Sequence, residues 1–205
     1  MLAALLVTWP LARWLGWRGF EAYGLERFPC WWLWVAGGLG LAALAKAVTL
    51  VAGPGEASMT GATFGIMALL FAVLTTFVPS LVEDILTRGF PLRTFPLRLG
   101  GVVYVVACAA LYTLNHVWRF DWGASEQIRL FCMGLAYAAA AWRWRTLWGA
   151  VALHWGWNLA NALSGPLVDV EGASTDAVRL AGAAAHLALL VLVLLLPARE
   201  EPTQT

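Results

Sequence analysis

The feature that most constrains this chain is a succession of apolar runs. They fall at about residues 31–53, 61–86, 98–117, 126–142, 146–164 and 177–196, with a shorter one at 1–12. Roughly 20 apolar residues of helix cross a hydrocarbon core, and most of these runs reach that length. Of the 205 residues, 61% are hydrophobic and 12% charged, about half the charge of a typical soluble domain. The expected fold is therefore all-α, a polytopic membrane helical bundle of about six to seven transmembrane helices. It should form a single integral-membrane domain over residues 1–205, with short loops and no internal repeat. MLAALLVTWPLARWLGW has no basic residue ahead of its apolar run, which argues against a cleavable signal peptide.

Composition also narrows the partners. A net charge of +1 without a basic stretch argues against nucleic acid and leaves the lipid bilayer as the surrounding medium. Three cysteines, Cys30, Cys108 and Cys132, suggest neither a disulfide framework nor a metal-ligand spacing. Many of the 13 tryptophans, such as Trp31, Trp32, Trp118, Trp122, Trp142 and Trp144, stand near span ends and suit interfacial belts. If the spans alternate, Arg13, Arg18, Arg27, Arg88, Arg93, Arg98, Arg143, Arg145 and Arg199 share one side, against Arg119, Arg129 and Arg179 on the other. The positive-inside rule puts the larger group, and the tail PAREEPTQT, in the cytoplasm. Lys46 lies within a span and is expected to snorkel to the outer interface.

Charged and polar side chains at bilayer depth are costly, so they face protein or water and do something there. The stretch VEDILTRGF ends an otherwise apolar run, yet holds Glu83, Asp84 and Arg88. Asp84 and Arg88 are four apart and share a helix face, where an ion pair neutralises both. Glu83 points about 100° away and has no local partner, which suits a general base or acid. In ALYTLNHVW, Tyr112 and His116 are one turn apart. In LWGAVALHWGWNLANALSG, His154, Asn158 and Asn161 fall within a stripe of about 60°, expensive to bury without partners across the bundle. Gly149, Ala152 and Gly156 permit a neighbouring helix to approach. Each piece alone also reads as a helix-end charge cluster, a hydrogen-bonded histidine or helix-to-helix glue. His186 has no polar companion at helical spacing and reads as structural.

Together and in order, EDILTR, YTLNH and HWGWN resemble the CPBP family, the intramembrane proteases related to the CAAX-processing endopeptidase, also called Abi. The family pattern is Glu-Glu-x-x-x-Arg, Phe-x-x-x-His and His-x-x-x-Asn/Asp. Here Asp84 replaces the second glutamate and Tyr112 the phenylalanine, over a motif-bearing catalytic core of residues 61–165. The resemblance implies an endopeptidase cutting a membrane-associated or C-terminal-tail substrate. Glu83 and His116 would activate a water, His154 and Asn158 would donate to the oxyanion, and Asp84, Arg88 and Tyr112 would support them. It also implies a membrane-anchored protein or peptide as partner. An Ala/Trp/Arg-rich, lysine-poor composition points to a bacterial source, hence an inner (plasma) membrane location and less weight on prenylated substrates.

One carboxylate, two imidazoles and an amide suffice for hydrolysis without a covalent intermediate. The same Glu83, His116 and His154 form a zinc-type donor set, so zinc or another divalent metal is the alternative. No cofactor is favoured, because the ligands lie on three spans and no His-Glu-x-x-His motif is present. Competing functions are a proton-coupled transporter relaying protons through Glu83, His116 and His154, and a non-catalytic immunity or scaffold relative. A bis-histidine haem site on His116 and His154 is more remote. For Glu83 and His116 to meet, the His116 helix must be strongly tilted or the linker GFPLRTFPLR, with Pro91 and Pro96, must dip into the protein; the expectation is a cleft open to the cytoplasm with this linker at its mouth.

Overall fold

The apolar runs fold as helices in the computed structural model, which describes residues 2–94 and 100–199. In chain order they are α1 (Leu2–Trp14), α2 (Trp31–Val51), α3 (Ile66–Asp84), α4 (Phe90–Thr94), α5 (Gly100–Leu114), α6 (Ala124–Trp144), α7 (Leu147–Leu167) and α8 (Thr175–Leu195). Pro96 and Arg98 of the linker lie outside the described residues, as does the end of the C-terminal tail. Among the described residues the regular structure is helical apart from one ribbon that the apolar pattern does not announce. In it β1 (Glu56–Met59) pairs antiparallel with β2 (Val168–Glu171), Glu56 opposite Glu171 and Met59 opposite Val168.

Among the described residues three helical stretches, Trp31–Val51, Ile66–Thr94 and Thr175–Leu195, are long and apolar enough to cross a membrane, whereas α1 and α5 are shorter. Six to seven spans were expected; α6 and α7 have the length, at 21 residues each, but bury polar groups rather than presenting a uniformly apolar surface. Leu70, Phe71 and Leu74 of α3 and Val102, Val103 and Val106 of α5 are turned outward, as lipid-facing residues would be.

Helix α6 is the hub, because its alanines Ala136 and Ala138 to Ala141 are buried and small enough for other helices to close on it. At Gly134 a Cβ would stand 2.7 Å from Ala109 Cα, so only glycine allows α5 this near. On α7, a Cβ at Gly156 would meet Ala42 Cβ at 2.8 Å and Leu39 Cα at 3.0 Å, which explains the close seat of α2. The segment after α1 caps the α6–α7 turn. Leu147 N donates to Gly24 O at 2.7 Å, Thr146 Oγ1 to the same carbonyl at 3.0 Å, and Trp148 Nε1 to Glu26 O at 3.1 Å. Tyr23 donates to Thr8 O at 2.9 Å, and burial pushes its phenol up, which keeps it a donor.

Two local expectations are corrected. Residues 89–94 of the linker are not irregular: α3 passes through a π turn at Ile85–Gly89 and continues as α4. Pro91 follows the π turn inside this continuous helix, where it has no N–H to give the preceding turn. Trp144, expected in an interfacial belt, is buried against Trp34 at a centroid distance of 5.0 Å, while Trp32, Trp118 and Trp122 are exposed.

Candidate active site

Glu83 lies in the last turn of α3, below Pro79, which has no N–H to give Thr75 O and so loosens the helix on that side. The side chain is 8% exposed. Its Oε2 stands 3.8 Å from His116 Nε2, just past α5, and 3.8 Å from His154 Nε2 in mid-α7. The carboxylate and the two imidazoles, from three helical segments, therefore converge. The separation is too long for direct hydrogen bonds and suits a bridging water. Tyr104, one turn into α5, donates to Arg88 O at 2.9 Å. So α5 enters alongside Arg88 rather than beside Thr94, which lets His116 reach the level of Glu83.

The hydrogen bonds assign the imidazole protons. His116 Nδ1 lies 2.8 Å from Tyr112 O, and a carbonyl only accepts, so Nδ1 carries the hydrogen and Nε2 faces Glu83 as a bare acceptor. His154 Nδ1 stands 3.4 Å from Asp84 Oδ1, and its Nε2 lies 3.3 Å from the Tyr112 hydroxyl. A carboxylate only accepts, so the hydrogen on the Asp84 side is carried by Nδ1, and an Nε2–H facing the cavity then requires the imidazolium form of His154. Asn158 donates one amide hydrogen to Ser80 Oγ at 3.0 Å, leaving the other for a ligand. Ser80 is anchored in turn by donating to Thr76 O at 2.8 Å. Asn161, expected in the same stripe, donates back to Trp157 O at 2.8 Å and lines the outer part of the cavity.

Asp84 and Arg88 form the expected ion pair, and both are 0% exposed. Arg88 was counted among the loop arginines; it lies instead in the core, its guanidinium 4.7 Å from the Tyr112 ring centroid and 5.2 Å from that of Tyr137. Tyr137, which the sequence reading did not single out, stacks on His154 at 5.0 Å and donates to His186 Nε2 at 2.8 Å. His186 thus has a polar companion on another helix, and its Nδ1 donates to Gly182 O at 2.7 Å. It is fully bonded and stands outside the cavity lining.

A cavity of about 380 Å³ is lined by Glu83, Tyr112, His116, His154 and Asn158. Arg119 and Arg129 also line it, whereas no residue of 89–94 does. The linker is thus not at its mouth in the described residues. Arg119 and Arg129 of its lining belong to the smaller arginine group, whereas Arg93, Arg143 and Arg199 of the larger group do not line it. A larger groove of about 700 Å³ between α5, α6 and α8 holds none of the motif residues. The donor types are those of a catalytic zinc, yet among the described residues no group of three or more His, Cys, Asp or Glu is arranged to hold a metal ion. No step below passes through one.

No curated protein and no solved structure matches the chain. Residues 65–160, which carry all three motifs, match the model of a family described as type II CAAX prenyl endopeptidase Rce1-like, and over that segment the resemblance to the CPBP family is borne out.

Proposed function

We propose that the protein is an intramembrane endopeptidase that hydrolyses a peptide bond in a membrane-associated or C-terminal-tail substrate. The family match supports a CAAX-type intramembrane protease in general terms. The observation that carries the particular reading is the placement of Glu83 Oε2 at 3.8 Å from both His116 Nε2 and His154 Nε2, inside a cavity that Asn158 also lines.

In this reading a water sits between Glu83 and His116. Glu83 takes its proton while His116 Nε2 accepts its second hydrogen bond and aligns the attack. The hydroxide adds to the carbonyl carbon, and the oxyanion receives hydrogen bonds from the Nε2–H of a His154 imidazolium, whose Nδ1–H faces Asp84, and from the free Asn158 N–H. Fixed donors in a water-poor site have most effect there. The proton held by Glu83 passes to the leaving amine as the C–N bond breaks, so the carboxylate is regenerated and no covalent intermediate forms. Asp84 and Arg88 hold the end of α3 and orient His154. Helices α6 and α7 cross the membrane as the interior of the bundle, with lipid facing α2, α3 and α8, in a bacterial inner membrane.

The test is hydrolysis of an acyl-anchored reporter peptide by purified protein. Glu83→Gln and His116→Ala should each lower kcat by about 10²- to 10⁴-fold. Because both act on one water, the double variant should be little worse than the more damaged single one. Additive losses, or near-wild-type rates in Glu83→Gln, would remove the reading. Loss of activity with a chelator in the unaltered protein would move it to the metal-assisted version.

A further inference from the structure

The groove of about 700 Å³ between α5, α6 and α8 has apolar walls and a basic end. Helices α5 and α8 both pack on α6, and Ala139 of α6 is too small to fill the space left between them. Val105 of α5 and Leu190 of α8 form its walls. From Leu135 to Arg143 the lining follows α6 for roughly 12 Å at the helical rise. Val102 and Val106 at its edge are turned outward, so the groove opens sideways to hydrocarbon rather than to water. Among the described residues no carboxylate lines it, whereas three guanidiniums do, those of Arg143, Arg145 and Arg199.

The local structure holds these arginines at the groove's end. Arg145 closes α6 with φ 50°, the left-handed conformation that favours glycine, and its guanidinium lies 4.4 Å from the Trp142 ring centroid. Glycine would make that turn with less strain but would bring no side chain to the groove. Trp142 finds room against α5 because Gly101 carries no Cβ, which would collide with the indole. Tryptophan prefers the headgroup level of a bilayer, so Trp142 puts the basic end where lipid phosphates lie. Arg143 Nε donates to Leu196 O at 2.7 Å, which fixes that side chain across to the end of α8. Arg199 is set against the Phe28 ring, 3.8 Å from its centroid. Glu26, 3.1 Å from Arg199 Nη1, offsets part of the charge from outside the groove lining. All three arginines belong to the larger group, which the positive-inside rule assigns to the side of the anionic leaflet.

We infer that this groove binds an anionic phospholipid, its phosphate on Arg143, Arg145 and Arg199 and an acyl chain along Val105, Ala139 and Leu190. Planar guanidiniums pair with phosphate through two parallel hydrogen bonds, and basic pockets between membrane helices recognise anionic headgroups in this way. A soluble anion would leave the apolar walls bare, and an uncharged chain would leave the guanidiniums without a phosphate. One amphiphile serves both ends. The lipid bridges α5 and α8 across the gap and stabilises the bundle by binding only its folded form. None of the motif residues lines the groove, so the site stands or falls apart from the hydrolytic reading.

The test uses the full chain, delipidated in detergent, with dioleoyl phosphatidylglycerol, dioleoyl phosphatidylcholine and inorganic phosphate as probes. Binding is read by native mass spectrometry and by the rise in Tm. Phosphatidylglycerol should bind about tenfold to a hundredfold more tightly than phosphatidylcholine, the range of a charge-assisted hydrogen bond. That ratio should fall several-fold in Arg143→Gln and in Arg145→Gly, which relieves the left-handed backbone and so guards against misfolding. Val106→Trp, at the outward edge, narrows the apolar part and should weaken both lipids several-fold with the ratio kept. Equal binding of the two lipids, a ratio unchanged in both arginine variants, or lipid binding unchanged in Val106→Trp overturns the site. Inorganic phosphate displacing phosphatidylglycerol at equal concentration would mark an anion site without a lipid and overturn it as well. Displacement by an uncharged acyl-anchored peptide at equal concentration would give the groove to the substrate's anchor and overturn the lipid.

Discussion

Replacing Arg88 with methionine should destabilise the protein far more than losing a surface arginine would. Arg88 and Asp84 are both 0% exposed and paired one turn apart, and the guanidinium lies against the faces of Tyr112 and Tyr137. Removing the cation leaves Asp84 buried, with His154 Nδ1 at 3.4 Å as its remaining charged neighbour. Breaking a buried pair from one side costs about 3–5 kcal/mol. For a chain of this length that corresponds to a fall in Tm of roughly 6–20 °C. Removing both charges, in Asp84→Asn with Arg88→Met, should recover much of the loss, because no uncompensated ion remains. Differential scanning fluorimetry in detergent, on the two single variants and the double, reads all three values. A single-variant loss below about 1 kcal/mol, the level of exposed pairs, or strictly additive losses, would refute the reasoning.

Asn158→Ala removes a proposed oxyanion donor and should lower kcat by about 10²- to 10³-fold with little change in KM, measured on the same reporter peptide. Tyr112→Phe keeps the ring against Arg88 and loses only the hydroxyl 3.3 Å from His154 Nε2. At about 0.5–1.5 kcal/mol for such a bond, kcat/KM should fall by no more than about tenfold, and a hundredfold loss would put the hydroxyl in the chemistry itself. A cysteine at the exposed Asp121, beside Arg119 at the cavity end, should react with a membrane-impermeant maleimide added outside intact cells if the arginine-rich end is cytoplasmic. Labelling only after lysis would place the cavity on the cytoplasmic side.

Helix positions were legible because long apolar runs leave few alternatives, and the three motifs marked Glu83, His116 and His154 before any geometry was known. What was not legible depends on contacts distant in sequence or on local rules overridden by packing. The β1–β2 ribbon joins segments more than a hundred residues apart, and neither EASM nor VDVE carries a strong strand pattern. Gly89 and Pro91 read as breakers, yet the π turn lets the helix continue. Gly89 is needed because a Cβ would meet Tyr23 O at 2.9 Å. Arg88 could be paired with Asp84 from their spacing, but only the Tyr112 and Tyr137 rings explain why the pair is interior. Tyr137 and His186 find each other across two helices, which periodicity within one helix cannot register. Ser80 could have been found, since it stands three residues before Glu83 on the same face of α3, towards Asn158. Glu126 and Arg129, three apart at the start of α6, carried a similar hint of the cation cluster at the cavity.

The most direct test of the account is mass spectrometry of an acyl-anchored peptide incubated with purified protein, scoring the new termini. The account predicts a defined internal cleavage that appears with unaltered protein and is absent with both Glu83→Ala and His154→Ala. An intact peptide after incubation with unaltered protein, or cleavage that survives both substitutions, would contradict a hydrolytic centre built from Glu83, His116, His154 and Asn158.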